Sequence, residues 1–148
     1  MLNGELSQLQ AGFLSGRQPG EHIRVVQDSW CAFRKQRKAA VWLFLDFQKA
    51  YDRVSWRWLH QVVARWQPGN TFLKWMKALY PMEGGEGGLW RKLFLQLGWS
   101  DVFRIHTGVA QGCPLSPFLF NMVVDPWVRA MEQDAAWEGI PLSNLSYA

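Results

Sequence analysis

The sequence predicts an α+β fold, and three observations carry that prediction. Apolar residues recur at three- and four-residue steps along much of the chain up to Tyr80. A glycine cluster, Gly84-Gly85-Glu86-Gly87-Gly88, interrupts the pattern, and beyond it short runs rich in strand formers take over. Between the helical stretches lies one apolar run with no helical period, Ala40 to Phe47.

Ile23, Val26, Trp30 and Phe33 place an amphipathic helix over Glu21 to about Lys38. Its basic end, Arg34-Lys35-Gln36-Arg37-Lys38, suits a helix C-terminus, where cations meet the negative end of the dipole. That run reads as a solvated helix end ahead of a nucleic-acid patch. The run Ala40 to Phe47 is too short for a buried helix and too apolar for an edge, so it reads as a central strand. Val54, Trp58, Leu59, Val62, Val63 and Trp66 share one face of a second helix, with Ser55 as cap and Pro68-Gly69-Asn70 as its stop. Phe72, Trp75, Met76 and Leu79 mark a third. Leu93 to Leu97 and Val102 to Ile105 flank Gly98-Trp99-Ser100-Asp101, which reads as a hairpin with a four-residue turn. Ser116-Pro117 opens a last helix, serine as N-cap and proline at the first helical position, which continues past Pro126. Leu142 to Ala148 reads as the start of another strand.

The 148 residues predict one domain. Half the chain is hydrophobic (49%), enough apolar surface to exclude whole-chain disorder. Cys31 and Cys113 are too few for a disulfide scaffold, and no apolar run approaches the roughly 20 residues of a membrane helix. The N-terminus lacks the basic-then-apolar order of a secretory signal, so the expected location is intracellular, nucleus or cytoplasm. Sixteen Lys and Arg against twelve Asp and Glu give a net charge of +4, which permits nucleic-acid binding without establishing it. The ten tryptophans imply a bulky core or a surface that meets a partner. On the helices, Trp58 and Trp66 read as core residues ahead of base-stacking platforms.

Two features stand out chemically. Asp46 ends an apolar strand, where a carboxylate is costly to bury unless it is paired or holds a cation. Strand position alone favours a salt bridge or a helix cap over a metal, and a hard cation requires further oxygen ligands. Asp52 reads as a cap or brace for the following helix. The second feature is Gly108-Val109-Ala110-Gln111-Gly112-Cys113-Pro114-Leu115-Ser116-Pro117, a rigid turn entering a capped helix. Its free backbone N–H groups suit an anion or the close approach of a base, although such residues also serve as ordinary loop punctuation. His22, His60 and His106 show no ligand spacing, and no nucleophile–base pair supports a hydrolase built on Asp46 and a histidine.

Taken together, Asp46-Phe47-Gln48-Lys49-Ala50-Tyr51-Asp52-Arg53-Val54 and the Gly108 to Phe120 segment resemble the reverse transcriptases of non-LTR (LINE-type) retrotransposons. Gln10-Ala11-Gly12-Phe13-Leu14-Ser15-Gly16-Arg17 looks like that family's preceding block, and Leu73 to Tyr80 like the helix between the two motifs. The resemblance implies a partial fingers and palm of a right-hand polymerase, with a small antiparallel palm sheet packed on helices and no thumb. On that frame residues 1–40 are fingers-like, 41–54 form the palm strand with the first catalytic aspartate, 55–107 carry helices and a hairpin, and 108–148 hold the nucleotide-contacting loop, palm helix and a truncated strand.

The implied activity is RNA-directed DNA polymerisation, with an RNA template, a DNA primer and deoxynucleoside triphosphates as partners and two Mg²⁺ ions in the complete enzyme. By resemblance Asp46 is the catalytic, metal-binding aspartate, and the main-chain carbonyl of Phe47 lies near the metal. Tyr51 matches the aromatic that guards the sugar 2′ position; ordinary core packing is its alternative. Gln111 and Gly112 match the loop that touches the incoming nucleotide and template. Arg17 and Lys49 are candidate nucleic-acid contacts, equally readable as surface cations. In this family two further catalytic aspartates follow a Tyr-Ala pair, and the chain ends Leu145-Ser146-Tyr147-Ala148. The 148-residue chain by itself is therefore expected not to polymerise DNA at a useful rate. A non-catalytic nucleic-acid-binding remnant is the alternative, and a chain that folds poorly and aggregates is a third.

Overall fold

The computed structural model describes residues 6–37, 39, 41–82 and 89–135. Eight elements follow one another: α1 (Pro19–Gln36), α2 (Trp56–Arg65), α3 (Asn70–Leu79), β1 (Leu89–Arg91), β2 (Phe94–Leu95), β3 (Gly98–Trp99), β4 (Phe103–Ile105) and α4 (Ser116–Gln133). They form a mixed architecture of helices and small antiparallel sheets, as the sequence predicts. The length predicts one domain, yet the chain clusters into two compact units, one of Gln48–Val124 and one of the residues on either side. α4 contributes its first half to one unit and its second half to the other.

The central unit owes its core to α2 and α3. Ser55 caps α2, its side chain accepting from the Trp58 N–H. Leu59, Val62 and Val63 are buried with Trp56, and Val54, Met76 of α3, Tyr80, Val109, Leu119 and Met122 complete the cluster. Each fully buried aliphatic side chain contributes roughly 1.5–3 kcal/mol through removal from water. Trp56, a residue outside the predicted apolar face, is 2% exposed, whereas Trp58 is 37% exposed and its indole donates to the Val123 carbonyl. Trp66 is half-buried against the core, in line with its reading as a packing residue.

The β segment departs from the predicted hairpin. β2 pairs with β3 across a turn at Gln96-Leu97, with Phe94 opposite Trp99 and Leu95 opposite Gly98. β1 pairs with β4, Leu89 opposite Ile105 and Arg91 opposite Phe103. The later limb holds one more residue than the earlier one between these two ladders, so the ribbon is bulged at 100–102. Gly98 is thus the first residue after the turn and not its opening residue. Its φ of +128° is available to glycine, which lets the strand resume at once.

In the other unit, α1 begins with proline in its first turn and ends at Arg37 in the left-handed conformation (φ 53°). Its apolar stripe is only partly covered. Trp42 packs on Trp30 and Phe33, at ring-centroid distances of 5.2 and 6.1 Å, while Ile23 stays exposed. The predicted central strand does not form, because residues 41–47 pair with no strand among the described residues, and Val41 (91%) and Phe44 (80%) are exposed. An apolar run becomes a buried strand only where a ladder and a packing layer meet it, and neither is supplied by the described residues. The predicted strand at Leu142 to Ala148 and the glycine cluster at Gly84 to Gly88 lie outside the described residues.

α4 runs through Pro126 to Gln133 as predicted. Ser116 lies inside its first turn, fully buried, and the hydroxyl donates to the Ala110 carbonyl (2.6 Å) in place of the expected cap. Proline at the second helical position forfeits only an N–H that the first turn leaves unpaired.

Candidate functional site

The glycine-proline loop and the end of the aspartate motif are bonded to each other within the central unit. Residues 49–53 make tight turns, opened by Lys49 at φ 53° and closed by the Arg53 N–H donating to the Lys49 carbonyl. Onto this turn the loop docks as a short antiparallel contact. The Val109 N–H donates to the Tyr51 carbonyl (2.9 Å) and the Gly108 N–H to the Val54 carbonyl (2.8 Å). The Thr107 hydroxyl donates to the Asp52 carbonyl (3.0 Å), and the Trp56 indole N–H to the Gly108 carbonyl (2.7 Å).

Gly108 is the point of closest approach. A Cβ there would lie 2.9 Å from the Asp52 carbonyl oxygen and 3.0 Å from its Cα, and the backbone sits at φ +91°. Both space and conformation demand glycine. Gly112 is also left-handed, φ +81°, but nothing lies within 4 Å of the Cβ it lacks.

The side chains of interest emerge from this frame. Tyr51 is half-buried with its ring 5.2 Å from that of Phe120, so part of the tyrosine serves the packing read as its alternative role. Gln111 is exposed, and its Nε2 donates to Asp52 Oδ1 (3.3 Å). Asp52 therefore does not brace α2 as the sequence suggests, since Ser55 already caps that helix and the carboxylate is directed to the loop.

Beside them opens a cavity of about 710 Å³, lined among others by Asp52, Trp56, Tyr80, Arg91, Gln111 and Cys113. Burial pushes the Tyr80 phenol above its usual pKa, against hydrogen bonds with Ser116 and Ala110 that draw it back.

Asp46 and Phe47 belong to the other unit. Asp46 is exposed, and the Phe47 ring packs edge-on against Trp127 at 5.6 Å. Lys49 is exposed. Arg17, a candidate nucleic-acid contact, directs its guanidinium into its own loop, donating to the carbonyls of Ser7 and Gln10, each at 2.6 Å, and of Leu6 at 3.3 Å. Asp125 went unnoticed in the sequence. It is 4% exposed and accepts from the Ser7 N–H (2.7 Å), Gln10 Nε2 (3.0 Å) and Arg129 Nε (2.6 Å). Its signal was available, a carboxylate set into the apolar stretch Met122-Val123-Val124 just ahead of a mid-helix proline.

Among the described residues, no three His, Cys, Asp or Glu side chains converge as a metal site would require. The described residues do not by themselves fit a pair of divalent ions.

The order and spacing of these segments match a family model described as "Reverse transcriptase (RNA-dependent DNA polymerase)" over residues 2–148. The chain belongs to the reverse transcriptase family. Two curated relatives of this reverse transcriptase domain carry the names of transposable-element proteins. It is 25% identical over 121 residues to the Transposon TX1 uncharacterized 149 kDa protein of Xenopus laevis, covering 80% of this chain and 9% of that protein. It is 33% identical over 91 residues to the Retrovirus-related Pol polyprotein from type-2 retrotransposable element R2DM of Drosophila melanogaster, covering 61% of this chain and 8% of that protein. The reverse transcriptase chain thus spans less than a tenth of the length of either relative. As a family, reverse transcriptases use divalent metal ions, nucleic-acid templates and deoxynucleoside triphosphates. No described helix of this chain is long and apolar enough to cross a membrane.

Proposed function

We propose that this chain forms the nucleotide-contacting part of an RNA-directed DNA polymerase acting inside the cell. In the reaction, the primer 3′-oxygen bonds to the α-phosphorus of a deoxynucleoside triphosphate while the bond to pyrophosphate breaks. The observation that carries the reading is the docking of the Gln111 loop on the Tyr51–Val54 turn, which holds Tyr51, Asp52, Gln111 and Gly112 in one rigid group.

Tyr51 presents an aromatic wall that excludes a 2′-hydroxyl, and its packing on Phe120 fixes the ring in place. Gln111 and the backbone at Gly112 supply polar groups to the incoming nucleotide and template. Asp46 contributes one carboxylate to a divalent-ion site, with the Phe47 carbonyl beside it. A hard cation takes several oxygen ligands, so that site requires donors beyond these two. Asp46 and the Phe47 carbonyl would hold such ions together with further donors, and the chemistry supplied there would be charge neutralisation on the triphosphate and activation of the primer hydroxyl. Lys49, exposed at the head of the turn, is a candidate phosphate contact. Arg17 donates to three carbonyls of its own loop, which leaves it fewer donors for a phosphate than an arginine without such bonds.

Sugar discrimination tests the reading. In the protein expressed from its complete reading frame, Tyr51→Ala raises ribonucleotide incorporation relative to deoxynucleotide by about a hundredfold, on the scale of losing a steric wall. An unchanged ratio assigns Tyr51 to packing alone. Salt-sensitive RNA binding by a complete protein that incorporates no nucleotide would favour the non-catalytic remnant.

A further inference from the structure

We infer that Asp52 is the positioning residue for Gln111, and that it decides which end of the Gln111 carboxamide faces the nucleotide. The inference rests on the reading of Gln111 as a nucleotide contact.

A carboxamide has two nearly isosteric ends, an oxygen that accepts and a nitrogen that donates. An exposed glutamine left alone presents either. Here the Asp52 carboxylate oxygen is an acceptor, so it selects the Nε2 end, which donates to Oδ1 at 3.3 Å. The Gln111 oxygen is then directed away from Asp52, and the group offered to a ligand is an acceptor. Such an acceptor recognises a donor, a sugar hydroxyl or a base amino group, and repels a phosphate oxygen.

The backbones on both sides of this bond are fixed, which makes the selection effective. The Asp52 carbonyl accepts from Thr107, and its neighbour Tyr51 accepts from Val109. Gly108 brings the loop against the Asp52 main chain at a distance no other residue permits. Ala110, just before Gln111, is held through its carbonyl by the buried Ser116 hydroxyl. Once both Cα positions are set, the side-chain rotamers of Gln111 and Asp52 are the remaining freedom, and the bond between them restricts both. Both residues line the same cavity, so the pair borders space that a ligand can enter.

The test is a double-mutant cycle on nucleotide incorporation by the protein expressed from its complete reading frame. Asp52→Ala is expected to raise the nucleotide KM about fivefold with kcat little changed, as for the loss of one charge-assisted hydrogen bond. Asp52→Asn can offer Gln111 either a donor or an acceptor, so the selection is lost while a hydrogen bond remains, and its KM is expected to rise by about twofold, between the parent protein and Asp52→Ala. In a Gln111→Ala background, Asp52→Ala is expected to add nothing further. Equal effects of Asp52→Ala in both backgrounds would overturn the inference, since Asp52 would then act without Gln111. So would a fall in kcat and thermal stability shared by the Ala and Asn variants, the mark of a purely structural role. A Gln111→Ala variant with unchanged KM would instead remove the nucleotide reading of Gln111 and the inference with it.

Discussion

Gly108 carries the closest contact of the site, and its replacement is the sharpest residue-scale prediction. Gly108→Ala forces a Cβ to within 2.9 Å of a backbone oxygen while holding an L-residue at φ +91°. The expected loss is about 1–3 kcal/mol, read as a lower melting temperature. Gly112→Ala shares the left-handed backbone but meets open space, so it is expected to cost less. A smaller loss at Gly108 than at Gly112 would contradict the docking. The candidates at this site are legible in sequence because Tyr51, Gln111 and Gly112 stand inside recognisable motifs. The bond from Gln111 to Asp52 is not legible, because it joins residues 59 positions apart and only the folded loop brings them together. Arg17 shows the converse: a cation in a motif invites a phosphate, but three neighbouring carbonyls satisfy it first.

At the scale of elements, the helices were readable, while the pairing of the strands was not. The apolar spacing that predicts α2 and α3 is a local property, fixed by the helix repeat and by Ser55 at the start of α2. A strand depends on its partner. The run at 41–47 has the composition of a buried strand, yet no described strand pairs with it, and the β2–β3 turn sits at Gln96-Leu97 while the obvious glycine follows it. α4 gains an anchor that no pattern announces. Asp125 holds the Ser7 N–H and Gln10 from the N-terminal segment and pairs with Arg129 one turn along the same helix. Asp125→Ala leaves a buried N–H without its acceptor and is expected to cost about 2–3 kcal/mol. A denaturation midpoint measured with and without the change checks this, and an unshifted midpoint would show that the anchor contributes nothing.

At the scale of the whole molecule, both compact units lie within one family match, and the two halves of the aspartate motif fall on either side of their boundary. Asp46 and Phe47 belong to one unit, Tyr51 and Asp52 to the other. Family membership was legible from motif order, while this division was not, because a boundary between compact units reflects long-range packing and leaves no mark on a nine-residue motif. The proposal that this chain supplies nucleotide contacts and one metal-binding carboxylate of a reverse transcriptase meets its most direct test in primer extension. The protein expressed from its complete reading frame is given a primed RNA template, Mg²⁺ and deoxynucleoside triphosphates, and compared with its Asp46→Asn variant. The account predicts extension by the parent protein and a loss of about a hundredfold or more in the variant, with RNA binding retained. Equal extension by both proteins, or none by the parent, would contradict it.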